Sequence, residues 1–116
     1  MNVAAIIGRL GKEPELRYTS EGKPICTVSV AVDKGRGKEP DWFTVVAWDK
    51  TAEAIAGYLH RGDKAGFSGA MHQRSYEAQS GDKRVVWELH AVRVDFFAPK
   101  RDDQATPTSD DDEPPF

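Results

Sequence analysis

The chain is 116 residues long, which suits one domain and is short for two. With 39% hydrophobic and 30% charged residues it supports a modest core under a polar surface, and no apolar run approaches the roughly 18 residues of a membrane helix. The net charge of −3 is unevenly divided: residues 1–101 carry all 16 Lys and Arg with 13 of the 19 Asp and Glu, a net +3, whereas residues 102–116 carry the other 6 acids and no base. A mildly basic body with an acidic tail leaves a polyanionic partner open. Met1 to Ala5 lacks the basic and long apolar segments of a secretory leader, so the expected location is the cytoplasm. The lone Cys26 excludes an internal disulfide and a multi-cysteine zinc site.

Asn2 to Leu10 reads as a strand, with Gly8 marking a bend or bulge. Gly11 to Pro14 reads as a turn, Glu15 to Ser20 as a short extended piece, and Glu21 to Pro24 as a second turn. Cys26, Val28, Val30 and Val32 then alternate with Thr27, Ser29, Ala31 and Asp33, a two-residue period that predicts a half-buried strand. Residues 34–40 form a glycine-rich basic loop. In the strand predicted over Asp41 to Trp48, Phe43, Val45 and Ala47 share one face, and Trp42, Thr44, Val46 and Trp48 share the other.

Thr51 to Arg61 is the one convincing helix. Ala52, Ile55, Ala56 and Leu59 make an apolar stripe, with Asp49 expected as N-cap and Gly62 as the stop. Lys64 to Met71 returns to strand. Gln79 to Asp82 is a polar hairpin loop. Arg84 to Phe97 is a long strand in which Val85, Trp87 and Leu89 hold one parity and Val92, Val94 and Phe96 the other, predicting a bulge near Ala91. From Lys100 to Asp112 no large apolar residue occurs, and disorder is expected.

This order of elements fits an all-β OB-fold: a five-stranded Greek-key barrel with one short helix between strands 3 and 4, plus a disordered acidic C-terminal tail. An SH3-like barrel or a split sheet fits the periodicity nearly as well. The expected division is a domain over residues 1–99 and a tail over 100–116.

Catalysis finds little support. His60, His72 and His90 show no metal-ligand spacing, and no nucleophile elbow or phosphate-cradling loop occurs. These histidines are expected to be solvated or half-buried, Cys26 an inert core thiol, and no cofactor or metal is expected. Trp42 and Trp48 say more. They lie off the face that Phe43, Val45 and Ala47 supply to the core, so something is expected to cover them. Tyr76 stands near Arg74, and Lys50, Arg61, Lys83 and Arg84 fall at strand and loop ends nearby. Rings mixed with cations suit a flexible single strand, whose bases stack while Lys and Arg follow the phosphates. Packing of the tryptophans on another subunit or on the helix is an equally open reading of the pattern.

The tail ends Asp110, Asp111, Asp112, Glu113, Pro114, Pro115, Phe116. Two prolines hold the segment extended before a ring, a compact ligand for a protein partner.

Together, Ile7 to Tyr18, Trp42 to Trp48, Ala52 to Gly62, Gln79 to Gly81 and the tip Asp110 to Phe116 resemble the bacterial single-stranded DNA-binding protein family, over residues 3–98 plus the tip. The resemblance implies an oligomerising OB-fold, usually a tetramer, that wraps single-stranded DNA without sequence preference. It implies stacking roles for Trp42, Trp48 and Tyr76, phosphate contacts for Lys50, Arg61 and Arg74, and recruitment of replication, repair and recombination proteins by Asp110 to Phe116. The chain departs from the family pattern at Lys34-Gly35, where a further stacking aromatic often stands, and at Phe43, Thr44 and Ala70. Its linker at residues 100–109 is also short.

Overall fold

The computed structural model describes residues 1–97; the expected linker, acidic tail and tip lie outside the described residues, as does the expected boundary at 99/100. The elements in chain order are β1 (Ala4–Leu10), β2 (Glu15–Tyr18), β3 (Pro24–Val32), β4 (Asp41–Trp48), α1 (Asp49–Tyr58), β5 (Lys64–Glu77) and β6 (Lys83–Phe96). The sheet runs β1-β5-β6-β4-β3-β2, and β1 also pairs with β3, which closes the ring.

β1 and β2 lie along the same edge of β3: Leu10 pairs with Val30, and Glu15 with Thr27. They act as one barrel strand interrupted by the turn at Gly11 to Pro14. The ring therefore has five members, as an OB barrel requires. One closing seam is the parallel pairing of β4 with β6, where Val45 meets Leu89.

Closure demands sharp bends, and glycines sit where the backbones approach most closely. A Cβ on Gly8 would collide with the Ala31 carbonyl oxygen, at the point where β1 passes from β5 to β3. A Cβ on Gly69 would collide with the His90 carbonyl oxygen. There the register steps from Ser68↔Arg93 to Gly69↔Ala91, leaving Val92 as the extra residue of a bulge, beside the expected position.

The core forms on the predicted parity. Cys26, Val28 and Val30 of β3 are buried with Val45 and Ala47 of β4, and Phe67 and Leu89 complete the filling. Burial pushes the Cys26 thiol up to about 11, with the Glu15 charge adding to the effect, so this cysteine stays a protonated core group at neutral pH. Ala52, Ile55 and Leu59 are buried and Ala56 is half-buried, so the helix stripe packs on the barrel as expected.

The helix ends differ from expectation. It begins at Asp49 and closes at Tyr58, with Trp48 in the cap position and no side-chain cap bond. Asp49 itself adopts the left-handed region (φ 55°). β4 stays extended through Trp48, so the reversal into the helix falls on Asp49, a residue type that tolerates this backbone region. Gly62 (φ 91°) serves the following turn, where its N–H donates to the Leu10 carbonyl.

β5 also runs six residues further than expected, to Glu77. With β6 it makes a hairpin arm that projects past the barrel, and the exposed stretch 72–77 pairs with 83–88. Val85 and Trp87 share the parity of Leu89, yet only Leu89 reaches the core, because among the described residues no second layer stands behind the arm.

Candidate functional site

The strand parity that puts Val45 and Ala47 inside puts Trp42, Thr44, Val46 and Trp48 outside. Register carries this outer face across three neighbours. Ile25 and Thr27 of β3 stand beside Trp48 and Val46, and Glu88 and His90 of β6 stand beside Thr44 and Val46. His72 and Arg74 of β5 lie beyond them, opposite Glu88 and Val86. The result is an open groove of about 470 Å³ lined by Glu15, Arg17, Ile25, Thr27, Thr44, Val46, Trp48, Arg74 and Glu88.

Aromatic rings stand on this outer face, Trp48 within the groove itself. Trp48 is 37% exposed and meets the His90 ring edge-on, centroids 4.7 Å apart. Trp42 is 59% exposed, and its ring lies against Gly11: a Cβ there would strike the six-membered ring. Gly11 thus leaves the Trp42 ring its seat. Tyr76 is 42% exposed on the hairpin arm, on the same strand parity as His72 and Arg74. So the expected stacking candidates all present ring surface, and each is placed by a strand rather than a loop.

Among them sits one buried carboxylate. Glu88 is 6% exposed. It accepts from Arg74 Nε at 2.8 Å, and its other oxygen lies 3.2 Å from His90 Nε2. Burial by itself raises the Glu88 carboxyl, but the Arg74 and His90 hydrogen bonds and charges outweigh it and hold the group below its ordinary value. Glu88 therefore stays ionised at neutral pH and fixes the reach of Arg74 along the groove.

The expected cations divide. Arg74 is in the groove. Arg84 stands opposite Tyr76, on the groove parity of the arm. Lys83 pairs with Glu77 and falls on the other parity, with Val85 and Trp87. Lys50 is exposed on the first turn of the helix, two residues beyond Trp48. Arg61 joins a separate cluster: its N–H donates to Glu13 Oε2 at 2.9 Å, and His60 Nδ1 lies 3.2 Å from Glu13 Oε1. The Arg61 N–H bond, with His60 second, lowers the Glu13 carboxyl. Glu13 belongs to the turn that starts at Gly11, so Arg61 is held at the Trp42 end of the face.

Sequence reasoning missed Glu15, Arg17, His72, Glu88 and His90 as members of this face. The available signal was the shared parity of His72, Arg74 and Tyr76, but it needed the β5–β6 register to become meaningful. The face is also less purely cationic than expected, since Glu15 and Glu88 line it together with Arg17 and Arg74.

Comparison with known proteins agrees with this geometry. A family model described as the single-strand binding protein family matches residues 1–97. A single-stranded DNA-binding protein of Clostridium tetani is 43% identical over 102 residues, covering 84% of this chain and 70% of that protein. One from Bacillus cereus is 38% identical over 105 residues, covering 86% of this chain and 62% of the relative. Single-stranded DNA-binding protein A of Bacillus subtilis is 37% identical over 105 residues, covering 86% and 61%. The chain thus spans about three fifths of the length of these Bacillus relatives.

Proposed function

The chain belongs to the single-strand binding protein family, and on that premise we propose that it binds single-stranded DNA without sequence preference, as a binding protein rather than an enzyme. The observation that carries this reading is the outer β3–β4–β5–β6 face, where Trp42, Trp48 and Tyr76 expose ring surface beside Arg74 and Arg84. Every base has a flat π-face, so ring platforms take any sequence, each worth about 1–3 kcal/mol. Lys50 and Arg61 extend the cationic surface on which phosphates are followed, with Lys83 beside the hairpin loop on the arm's other face. Counterion release then makes affinity fall as salt rises.

The test is a titration of the full chain with oligo-dT. Tryptophan emission is expected to quench to a stoichiometric end point, with unpaired strand outcompeting duplex and DNA outcompeting RNA. No quenching at low salt would overturn the proposal. Preference for RNA would replace it with an RNA-binding reading. A loss of assembly in Trp48→Ala without any nucleic-acid affinity would mark a protein-interaction module.

Self-association belongs to the same proposal, a tetramer being favoured. Val3, just ahead of β1, and Ile7 within it are both exposed, an apolar pair suited to burial against a second copy. Light scattering of the free protein is expected to give a mass above one chain. We further propose that Asp110 to Phe116 recruits replication, repair and recombination proteins in the cytoplasm, close to the nucleoid. Removal of Phe116 is expected to abolish such recruitment and spare oligo-dT binding.

A further inference from the structure

Two histidines lie on the groove face, brought together by strand register. Ala70 pairs with His90 and His72 with Glu88, so His72 and His90 are diagonal neighbours on one side of the sheet. Their rings stack with centroids 4.2 Å apart and planes 12° from parallel. His90 is held from three directions: by His72, by the T-shaped contact with Trp48 and by the Glu88 carboxylate. His72 is exposed. One face of its ring rests on His90, and among the described residues no other ring stacks on the second face.

The position matters as much as the geometry. Trp48 lines the groove, and Tyr76 lies beyond it on the hairpin arm. His72 and Tyr76 are four residues apart on one strand, roughly 13 Å at the usual rise. Arg74 lies between them, its guanidinium tied to Glu88. Between Trp48 and Tyr76 on this face the imidazole pair supplies the rings, beside a carboxylate and its bound arginine.

We propose that His72, backed by His90, is a further base-stacking platform of this groove, taking one nucleobase of the bound strand between Trp48 and the Arg74–Tyr76 arm. The inference rests on the single-strand reading above. Histidine rings are suitable partners for unstacked bases. This one is already held flat by its neighbour, so little rotamer freedom is lost when a base lands on it. Glu88 supports the platform indirectly, because one carboxylate fixes both His90 under the stack and Arg74 beside it.

The experiment compares the full-length wild type with His72→Ala and His72→Phe, using oligo-dT and an abasic strand of equal length. Stacking predicts that His72→Ala weakens oligo-dT binding by about 5- to 150-fold, the range for one stacked base. His72→Phe keeps a ring and is expected to stay within about threefold of wild type on that scale. On the abasic strand, which offers phosphates but no bases, the three proteins should bind alike. His72 is exposed, and the thermal melts of both variants are expected to match wild type. Wild-type affinity in His72→Ala would overturn the proposal. So would an equal loss in His72→Ala and His72→Phe, which assigns the residue a role through polarity rather than ring surface. If the wild type itself fails to bind oligo-dT, the single-strand reading falls and this inference falls with it.

Discussion

β5 and β6 are each two strands in one. Within the barrel they contribute Ala65, Phe67, Leu89 and Ala91 to the core. Beyond Met71 the same pair continues as an arm in which residues 72–77 and 83–85 are all exposed, although Val85 and Trp87 carry on the apolar alternation. Alternation therefore records which residues share a face. Whether that face is covered depends on ring closure, which β1 and β4 supply to the barrel half and, among the described residues, no further strand supplies to the arm. Packing energy is concentrated in the barrel half, and the arm adds exposed surface to the face proposed to bind DNA.

The largest expected effect tests this division directly. Phe67→Ala removes a fully buried ring and should cost about 3–5 kcal/mol in denaturant unfolding. Trp87→Ala, on a ring 56% exposed in the arm, should change stability by no more than about 0.5 kcal/mol. Comparable losses would mean that the arm is covered in solution, for example by another copy of the chain, and that the two halves are not energetically distinct.

A second expected effect lies in affinity and sharpens the contrast. Trp48→Ala should weaken oligo-dT binding by about 1–3 kcal/mol, read by titration. Its stability loss should be smaller than that of Phe67→Ala, because Trp48 meets the His90 ring in a T-shaped contact but faces the groove. Gly11→Ala should act more weakly and at a distance. The added methyl displaces the Trp42 ring from its seat without touching the groove cations. We expect a loss of affinity of at most about 1 kcal/mol, the low end for one stacked ring. An unchanged affinity would show that the seat is not needed for the ring to work.

Much of the barrel half was legible because its signals are local. The period of Cys26, Val28 and Val30, the parity of Val45 and Ala47, and the Ala52–Ile55–Leu59 stripe each follow from a short window. That same local parity placed Trp42 and Trp48 off the core. The helix start was misread because a residue with a good capping side chain instead carries the chain reversal in the left-handed region, a demand made by the straight run of β4. The groove's centre was not legible for a different reason. His72 and His90 are 18 positions apart, and the hairpin register that runs unbroken from Glu77↔Lys83 to Gly69↔Ala91 is what stacks them. A one-residue slip would send His90 to the core side.

The smallest effect concerns Glu88, where the two halves meet. Its carboxyl is titrated in the folded state below the ordinary 4.5, held there by Arg74 and His90 against the opposing influence of burial. Between those two values the unfolded chain binds more protons than the folded one, so stability rises with pH across that interval. The contribution is complete at neutral pH and disappears as pH falls through the folded value. Glu13, lowered by the Arg61 N–H and His60, works in the same direction, so acid sensitivity does not vanish with Glu88 alone. Melting temperature followed from pH 7 down to about pH 3 should therefore fall below the ordinary carboxylate value, and fall less steeply in Glu88→Gln. The amide keeps one acceptor oxygen for Arg74 and loses the charge together with the second acceptor beside His90. An acid limb of unchanged slope in Glu88→Gln would mean that the carboxylate contributes nothing to folding through its ionisation. It would then serve only the groove face, as the shared anchor of Arg74 and the histidine stack.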